Sequence, residues 1–88
     1  MLNEDVQIIE RIIETGYAVQ IVDSMGLLLG FSNDMVDIVE TIDGVEACTV
    51  RVFDGFYEDS PKIGVMLFID GELNDYSESD ALESLINN

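Results

Sequence analysis

Apolar and polar residues alternate along the chain with two periods, one typical of helices and the other typical of strands. The beginning of the chain has the helical period, which predicts a helix over residues 4–15. Asn3 precedes this helix as an N-cap, and Gly16 follows it as a natural stop. The residues expected to face inward are Val6, Ile8, Ile9, Ile12 and Ile13.

Two strands are predicted next, over residues 17–22 and 27–31, because Tyr, Val and Ile favour a pleated surface. Residues 23–26 read Asp-Ser-Met-Gly, which is a turn sequence, so the two strands are expected to form a hairpin. The three leucines at positions 27–29 also fit a helix, and the pattern leaves that choice open for the second strand.

A second helix is predicted over residues 33–43, with Ser32 as its N-cap and Gly44 at its end. Asp34 in its first turn suits the positive end of the helix dipole. The residues at helical spacing that we expect to be buried are Met35, Ile38, Val39 and Ile42.

Two longer strands are predicted over residues 45–53 and 62–70. The first places Cys48, Val50 and Val52 on one face, and Ala47, Thr49, Arg51 and Phe53 on the other. The second is apolar on both faces, with Ile63, Val65, Leu67 and Ile69 opposite Met66 and Phe68. A strand of this kind is central and covered on both sides, or it lies at a subunit interface. Homodimerisation through residues 62–70 is therefore an open alternative.

Residues 72–76 are expected to form a loop before a short final helix. Ser77-Glu78-Ser79-Asp80 resembles a capping box, with Asp in place of the usual Glu. Its inward-facing residues are Ala81, Leu82, Leu85 and Ile86. The predicted order is α-β-β-α-β-β-α, which indicates one α+β domain over residues 1–88. We expect a mainly antiparallel sheet of three or four strands with helices packed on it.

The charge of the chain is extreme for a small domain. Nineteen Asp and Glu residues face three Lys and Arg residues and no histidine, which gives a formal net charge of −16. Net charges of about 2–8 in magnitude are typical of small domains, so solubility alone does not account for this value. Self-repulsion destabilises the compact state, and we therefore expect added salt to stabilise the fold.

The composition excludes several chemistries. Without histidine, no Ser-His or Cys-His pair can form, and a single cysteine cannot build a zinc site. No glycine-rich phosphate-binding motif occurs, so we expect neither a cofactor nor enzymatic activity. Direct binding of nucleic acid requires a basic patch that this chain lacks. Cys48 lies mid-strand on an apolar face and is expected to be a buried, unreactive thiol.

Calcium is the one metal for which the ligand type is abundant. Asp70, Glu72 and Asn74 have the spacing of the first EF-hand ligands. The sixth position is Asp75 instead of glycine, and the twelfth is Ala81 instead of glutamate, so no EF-hand is predicted. Two carboxylate trios leave a weak, irregular cation site open, namely Asp54, Glu58 and Asp59, and Asp70, Glu72 and Asp75.

The cell cytoplasm is the expected location of the protein. A single cysteine fits a reducing compartment, and the acidic N-terminal residues do not resemble a secretory signal. No apolar run reaches the roughly 18–20 residues that span a bilayer. Anionic lipid should repel the surface, so we expect no membrane partner.

The carboxylates that we expect to bind a partner lie in the second half of the chain, where Phe56 and Tyr57 supply aromatic contact area beside them. The predicted site consists of Asp54, Phe56, Tyr57, Glu58, Asp59, Asp70, Glu72, Asp75, Glu78, Asp80 and Glu83. The charge suggests nucleic-acid mimicry, in which these groups occupy a basic surface of a nucleic-acid-binding protein. The alternatives are an acidic assembly or interaction module and a halophile-adapted domain with a hydrophobic partner interface.

In size and composition the chain resembles the small acidic inhibitors of bacteriophages and mobile elements, which include DNA mimics and many anti-CRISPR proteins. The carboxylate series and the near absence of lysine carry this resemblance, which covers the whole chain without a diagnostic motif. It implies inhibition of a CRISPR effector, a restriction enzyme or another nucleic-acid-binding protein in the host cytoplasm. It implies no fold and assigns no functional residue.

Overall fold

The chain forms three helices and five strands in a computed structural model that describes residues 1–77 and 79–87. In chain order the elements are α1 (Asn3–Glu14), β1 (Ala18–Asp23), β2 (Gly26–Ser32), α2 (Met35–Asp43), β3 (Ala47–Phe53), β4 (Lys62–Ile69), β5 (Glu72–Tyr76) and α3 (Asp80–Ile86). The predicted α+β class is confirmed, and so is the predicted hairpin of residues 17–31, now seen as β1 and β2.

The strands form one antiparallel sheet in the order β2-β1-β3-β4-β5. Helix α2 carries the chain from the edge strand β2 across to β3, which lies on the other side of β1. In the middle of the sheet, Gln20 of β1 pairs with Arg51 of β3, and Arg51 pairs with Val65 of β4. These three residues therefore form a row across the sheet.

The sheet has five strands, so the prediction of three or four was wrong. Residues 72–76 form the edge strand β5 where a loop was expected. Asp70 and Gly71 connect β4 to β5 and both have positive φ, at 52° and 77°. A two-residue hairpin turn with positive φ at both positions favours Asp-Gly, which is the sequence found here. The polar composition of β5 is compatible with an edge strand, since only Leu73 and Tyr76 pack toward the core.

All three helices cover the same face of the sheet. The strands contribute Val19, Ile21, Cys48, Val50, Val52, Met66 and Phe68 to the core. The helices contribute Ile8, Ile9, Ile12, Ile38, Ile42 and Leu82. Side chains alternate between the two faces of a strand, so the residues between these lie on the other face. Strand β4 is fourth of five in the sheet and has helices on one face only, so it is not covered on both sides.

Two helix starts differ from the prediction. Helix α1 begins at Asn3 itself, and its N-cap is Leu2, which makes no side-chain cap hydrogen bond. The N-cap of α2 is Asp34 and not Ser32, because Ser32 is still the last residue of β2. The Asp34 carboxylate accepts a hydrogen bond of 3.1 Å from the backbone N–H of Asp37.

The predicted capping box at the last helix is also displaced. Ser79 is the N-cap of α3, and its hydroxyl oxygen accepts a hydrogen bond from the backbone N–H of Leu82 at 3.2 Å. The hydroxyl oxygen of Ser77 instead accepts from the backbone N–H of Val65 on β4, at 3.0 Å. Ser79 therefore caps the start of the helix, and Ser77 attaches the segment before the helix to the sheet. Glu78, the second residue of the predicted box, lies outside the described residues.

Candidate interaction surfaces

The structure places the predicted partner-binding residues at separate ends of the sheet. Asp54 and residues 56–59 belong to the connection between β3 and β4, whereas Asp70 and Glu72 lie at the β4–β5 turn. Strand β4 separates these two ends by eight residues, a length of roughly 25 Å at the usual rise of a strand. The predicted residues therefore belong to at least two distinct surfaces.

The β3–β4 connection is folded on itself. The backbone N–H of Asp54 donates to the Pro61 carbonyl at 2.8 Å, and the Ser60 N–H donates to the Tyr57 carbonyl at 3.0 Å. The Ser60 hydroxyl in turn accepts from the Tyr57 N–H at 3.1 Å. This turn holds Phe56 and Tyr57 outward, with 46% and 74% of their surfaces exposed. The two aromatic rings are therefore available for contact, beside Asp54, Glu58 and Asp59.

The remaining predicted residues flank β5 and α3. Asp75 lies on the edge strand opposite Leu67, and its carboxylate accepts from the Tyr76 N–H at 2.8 Å. Asp80 in the first turn of α3 is exposed, whereas Glu83 is half-buried. Glu78 lies outside the described residues. The positions of Asp75, Asp80 and Glu83 add charge to the margin of the molecule without forming a pocket of their own.

A second acidic surface, which the sequence analysis did not single out, is the outer side of the helices. Helix α1 contacts both α2 and α3, so the helices form a layer over the sheet with α1 in the middle. We call the outer side of α1 and α2 the helical layer surface. Its exposed carboxylates are Glu4, Glu10, Glu14, Asp34, Asp37, Glu40 and Asp43. The helical periodicity of these residues, opposite the apolar stripes, was the available signal.

The basic groups leave nearly all of this charge unneutralised. Within residues 1–77 and 79–87 the one ion pair joins the N-terminal amine to the Asp43 carboxylate at 2.8 Å. Arg11 donates from Nε to the Leu85 carbonyl oxygen at 2.7 Å, which ties α1 to the end of α3. Arg51 donates from Nη1 to Gln20 Oε1 at 3.3 Å. Both arginines are therefore directed at neutral oxygens.

We expect added NaCl to raise the melting temperature, because the carboxylates repel one another without local compensation. Moderate salt shortens the screening length to about 10 Å at 0.1 M. A gain of about 1 kcal/mol would raise the midpoint by about 4–8 °C in a domain of this size. Circular dichroism melts in low and moderate NaCl, with isosmotic sucrose as the control, measure the effect. A midpoint that falls with NaCl contradicts the expectation.

Asp5 differs from the other carboxylates of the described residues because it is buried, and its role is structural. Its side chain is 7% exposed, and its Oδ2 accepts from the backbone N–H of Leu73 at 3.0 Å. This hydrogen bond joins the first turn of α1 to the edge strand β5, across 68 positions of sequence. The negative charge also lies at the positive end of the helix dipole. Asp5 therefore contributes to the fold and is removed from the set available to a partner.

The sheet face opposite the helices is a surface of different chemistry, which we call the open sheet face. Its apolar residues are Val22, Leu27, Phe31, Phe53, Val65, Leu67 and Ile69. The rings of Phe31 and Phe53 pack edge to face with centroids 5.1 Å apart. Leu27 is 60% exposed. A shallow groove of about 330 Å³ crosses this face near β5, lined among others by Thr49, Val65 and Leu67.

The comparisons with known proteins identify no relative. No protein-family model, curated protein or solved structure matches this chain. The surfaces described above are therefore what the function has to be inferred from.

No cation site is assembled from the carboxylates of the described residues. No group of three or more carboxylate or thiol side chains in that part of the chain could hold a metal ion, so neither of the two trios that the sequence left open forms such a site. Cys48 is buried in the core, as expected. Burial, with a smaller effect from the charge of Asp23, raises the pKa of its thiol. The described residues also include no helix long and apolar enough to cross a membrane.

Proposed function

We propose that the chain is a non-catalytic acidic protein that binds a basic surface of a nucleic-acid-binding protein and blocks it. The observation that supports this most directly is the absence of internal neutralisation: in the described chain, one carboxylate alone is ion-paired, to the N-terminal amine. Arg11 and Arg51 are engaged by neutral oxygens. The charge is therefore presented outward, where an arginine- or lysine-rich partner can pair with it.

The helical layer surface is the strongest part of this proposal. Glu10 and Glu14 lie one turn apart on α1, and Asp37 and Glu40 lie on the neighbouring helix α2. Duplex DNA carries one negative charge per about 1.7 Å of its axis, whereas carboxylates one helical turn apart are separated by about 5.4 Å. The two helices together therefore present a sparser row of charges to the same arginine and lysine side chains. A partner that binds phosphates would release the same kind of counterions on binding this surface. The resemblance to small acidic phage inhibitors favours the same function.

The β3–β4 connection is the second surface available to the partner. It adds Glu58 and Asp59 to the exposed rings of Phe56 and Tyr57. Aromatic side chains in an interface provide large contact areas, and the acidic groups around them provide orientation. The helical layer surface contributes charge without aromatic residues, so the two surfaces predict different mutational behaviour.

The first test is a pull-down from host lysate with the purified chain as bait, eluted by a salt gradient. We expect recovery of a nucleic-acid-binding protein that moderate salt releases and that its own DNA or RNA displaces. Electrostatic complementarity predicts fast association that slows with ionic strength. A partner that resists both salt and nucleic acid would contradict mimicry.

Charge variants then locate the surface. We expect Glu10→Lys with Glu14→Lys to weaken binding of the recovered partner by more than about tenfold, since like charges facing each other cost several kcal/mol. Glu10→Gln with Glu14→Gln should have a smaller effect. The matched pair Glu58→Lys with Asp59→Lys makes the same charge change on the β3–β4 connection. If neither reversal weakens binding and Phe56→Ala abolishes it, the interface is hydrophobic and mimicry is wrong.

An acidic interaction module with a hydrophobic interface is the second candidate function, and the open sheet face favours it. On that face Leu27 and Ile69 are exposed, and half-buried apolar residues lie between them. In this candidate the carboxylates maintain solubility, including at high salt, while an apolar surface binds the partner. The same set of variants separates the two functions, because only mimicry requires the carboxylates of the helical layer surface.

A further inference from the structure

The open sheet face lacks the charge that marks the rest of the molecule. The residues of its three inner strands, β1, β3 and β4, are Ala18, Gln20, Val22, Ala47, Thr49, Arg51, Phe53, Lys62, Val65, Leu67 and Ile69. None of them is acidic, although the chain contains nineteen carboxylates. The acidic groups next to this face are Glu72 and Asp75 on the edge strand β5, where they pair with Ile69 and Leu67 of β4. Carboxylates thus border the apolar residues along the β5 edge, where Asp75 also lines the shallow groove, and the inner strands carry none.

A polar pair lies near the centre of this face. Arg51 is on β3, the middle strand of the sheet, and Gln20 is beside it on β1. Their hydrogen bond is 3.3 Å long and uses one of the five N–H donors of the guanidinium. No other acceptor for the Arg51 side chain is found within the described residues. One face therefore carries unused donors and an amide acceptor side by side.

The sheet side of the molecule as a whole is about as large as one side of a standard interface. The chain has similar extents in three directions, 27, 27 and 23 Å, and a total accessible surface of 5044 Å². One side of such a body carries roughly 800 Å², and a standard-size interface buries about 800 Å² on each partner. A second sheet packed at the usual separation of about 10 Å would cover the apolar residues in the manner of a β-sandwich.

These observations indicate which kind of molecule would bind the open sheet face. A basic partner would find no carboxylate on the inner strands, so it is better matched to the helical layer surface. A second copy of this chain presents the same apolar area, and a two-fold axis that passes between Arg51 and Gln20 would bring Arg51 of one copy toward Gln20 of the other. From the apolar area and the lack of carboxylates on the inner strands, we infer that the open sheet face is a homodimer interface, in which two sheets pack face to face. The two helical layers then lie on opposite outer sides of the dimer.

The charge sets the salt dependence of this dimer. Carboxylates at the margins of the two sheets repel each other across the interface, and salt screens that repulsion. Dimerisation should therefore strengthen as NaCl is raised, whereas the binding of a basic partner should weaken. This opposite response separates failure of the dimer from failure of the proposed function, on which the dimer does not depend.

Sedimentation velocity over a concentration series, in low and moderate NaCl, tests the inference. We expect a monomer–dimer equilibrium whose dissociation constant falls with salt. Leu67→Lys should raise that constant by more than about tenfold, because each copy then places a charged group in the apolar interface. The matched control Val36→Lys makes the same change of charge on α2, at a side chain that is 62% exposed on an element that covers the opposite face of the sheet. It should leave dimerisation intact or strengthen it slightly.

A second measurement does not depend on the folding of a variant. In methyl NMR spectra of the unmodified chain, dilution should shift the resonances of Val65 and Leu67 and leave those of Val36 in place. A chain that stays monomeric at every concentration and salt level overturns the inference. Association that survives Leu67→Lys in a folded variant, or dilution shifts confined to the helices, also overturns it. Tight binding of a different protein to this face, with no dimer, assigns the surface to that partner instead.

Discussion

Replacement of Gly64 by valine is expected to destabilise the protein by about 3 kcal/mol or more and to release α3 from the sheet. A Cβ atom at position 64 would lie 2.8 Å from Leu82 Cδ2 and 2.9 Å from Ser77 Oγ. Valine adds two further methyl groups to that space. Ser77 also accepts the hydrogen bond that links it to Val65, so it cannot move without breaking that contact. Strand propensity alone would predict that the substitution stabilises the protein, since valine favours strands.

The control is Gly30→Ala, which changes a glycine of strand β2. A Cβ atom at position 30 would meet no atom within 4 Å. Its effect should be small, or stabilising by about 0.4–1 kcal/mol through the unfolded chain. Urea denaturation gives both free energies, and far-ultraviolet circular dichroism reports the loss of α3, which at seven residues is too short to be stable alone. Equal effects at positions 64 and 30 would show that α3 does not pack as described.

Truncation of Phe68 to alanine should cost about 3–5 kcal/mol, because it leaves a large cavity between the sheet and the helices. Phe68 is 1% exposed and belongs to the core face of β4. A domain of this size has a total stability of about 4–13 kcal/mol, so the variant should lose a large part of its stability and unfold at a much lower temperature. Thermal and urea unfolding both measure the loss.

Phe56→Ala provides the matched control on the same residue type. Phe56 is exposed on the β3–β4 connection, so its truncation should change the stability by less than about 0.5 kcal/mol. A loss at Phe56 as large as that at Phe68 would mean that the aromatic pair of the connection covers the core. The small effect expected here also makes Phe56→Ala a clean variant for the binding experiments.

The molecule has two sides that differ in chemistry. The helical layer surface is acidic, and the open sheet face is apolar with one arginine near its centre. A face-to-face dimer would bury the apolar side and double the acidic one, which would present two identical surfaces to basic partners. Bivalent display raises the apparent affinity only when the partner has two sites at a matching separation.

Much of the element pattern was available in the sequence. The helical stripes predicted α1 and α2 to within two residues at each end, and the alternation at residues 45–53 assigned the two faces of β3 correctly. Strand β5 was missed although Asp70-Gly71 is a strong hairpin signal, because the polar residues after it suggested a loop. An edge strand needs only one apolar side, so two inward-facing residues among the five of β5 were sufficient to attach it to the core.

The candidate surfaces were less predictable. The sequence grouped carboxylates by their nearness along the chain, which joined residues 54–59 with residues 70–83. Antiparallel pairing places the two ends of β4 at opposite ends of the sheet, so nearness in sequence did not become nearness in space. The outer sides of α1 and α2 were brought together instead, through a contact between elements more than twenty residues apart.

By itself, the sequence determined the period of each element, the net charge and the absence of histidine chemistry, because these depend only on residue type and spacing. Tertiary structure alone decided which face of β4 the helices cover. Both faces of that strand are apolar, and the packing of distant helices makes the choice. Tertiary structure also decided that Asp5 is a buried structural group, since its hydrogen-bond partner is the backbone of residue 73. Long-range contacts of this kind leave no mark in the local pattern from which the elements were predicted.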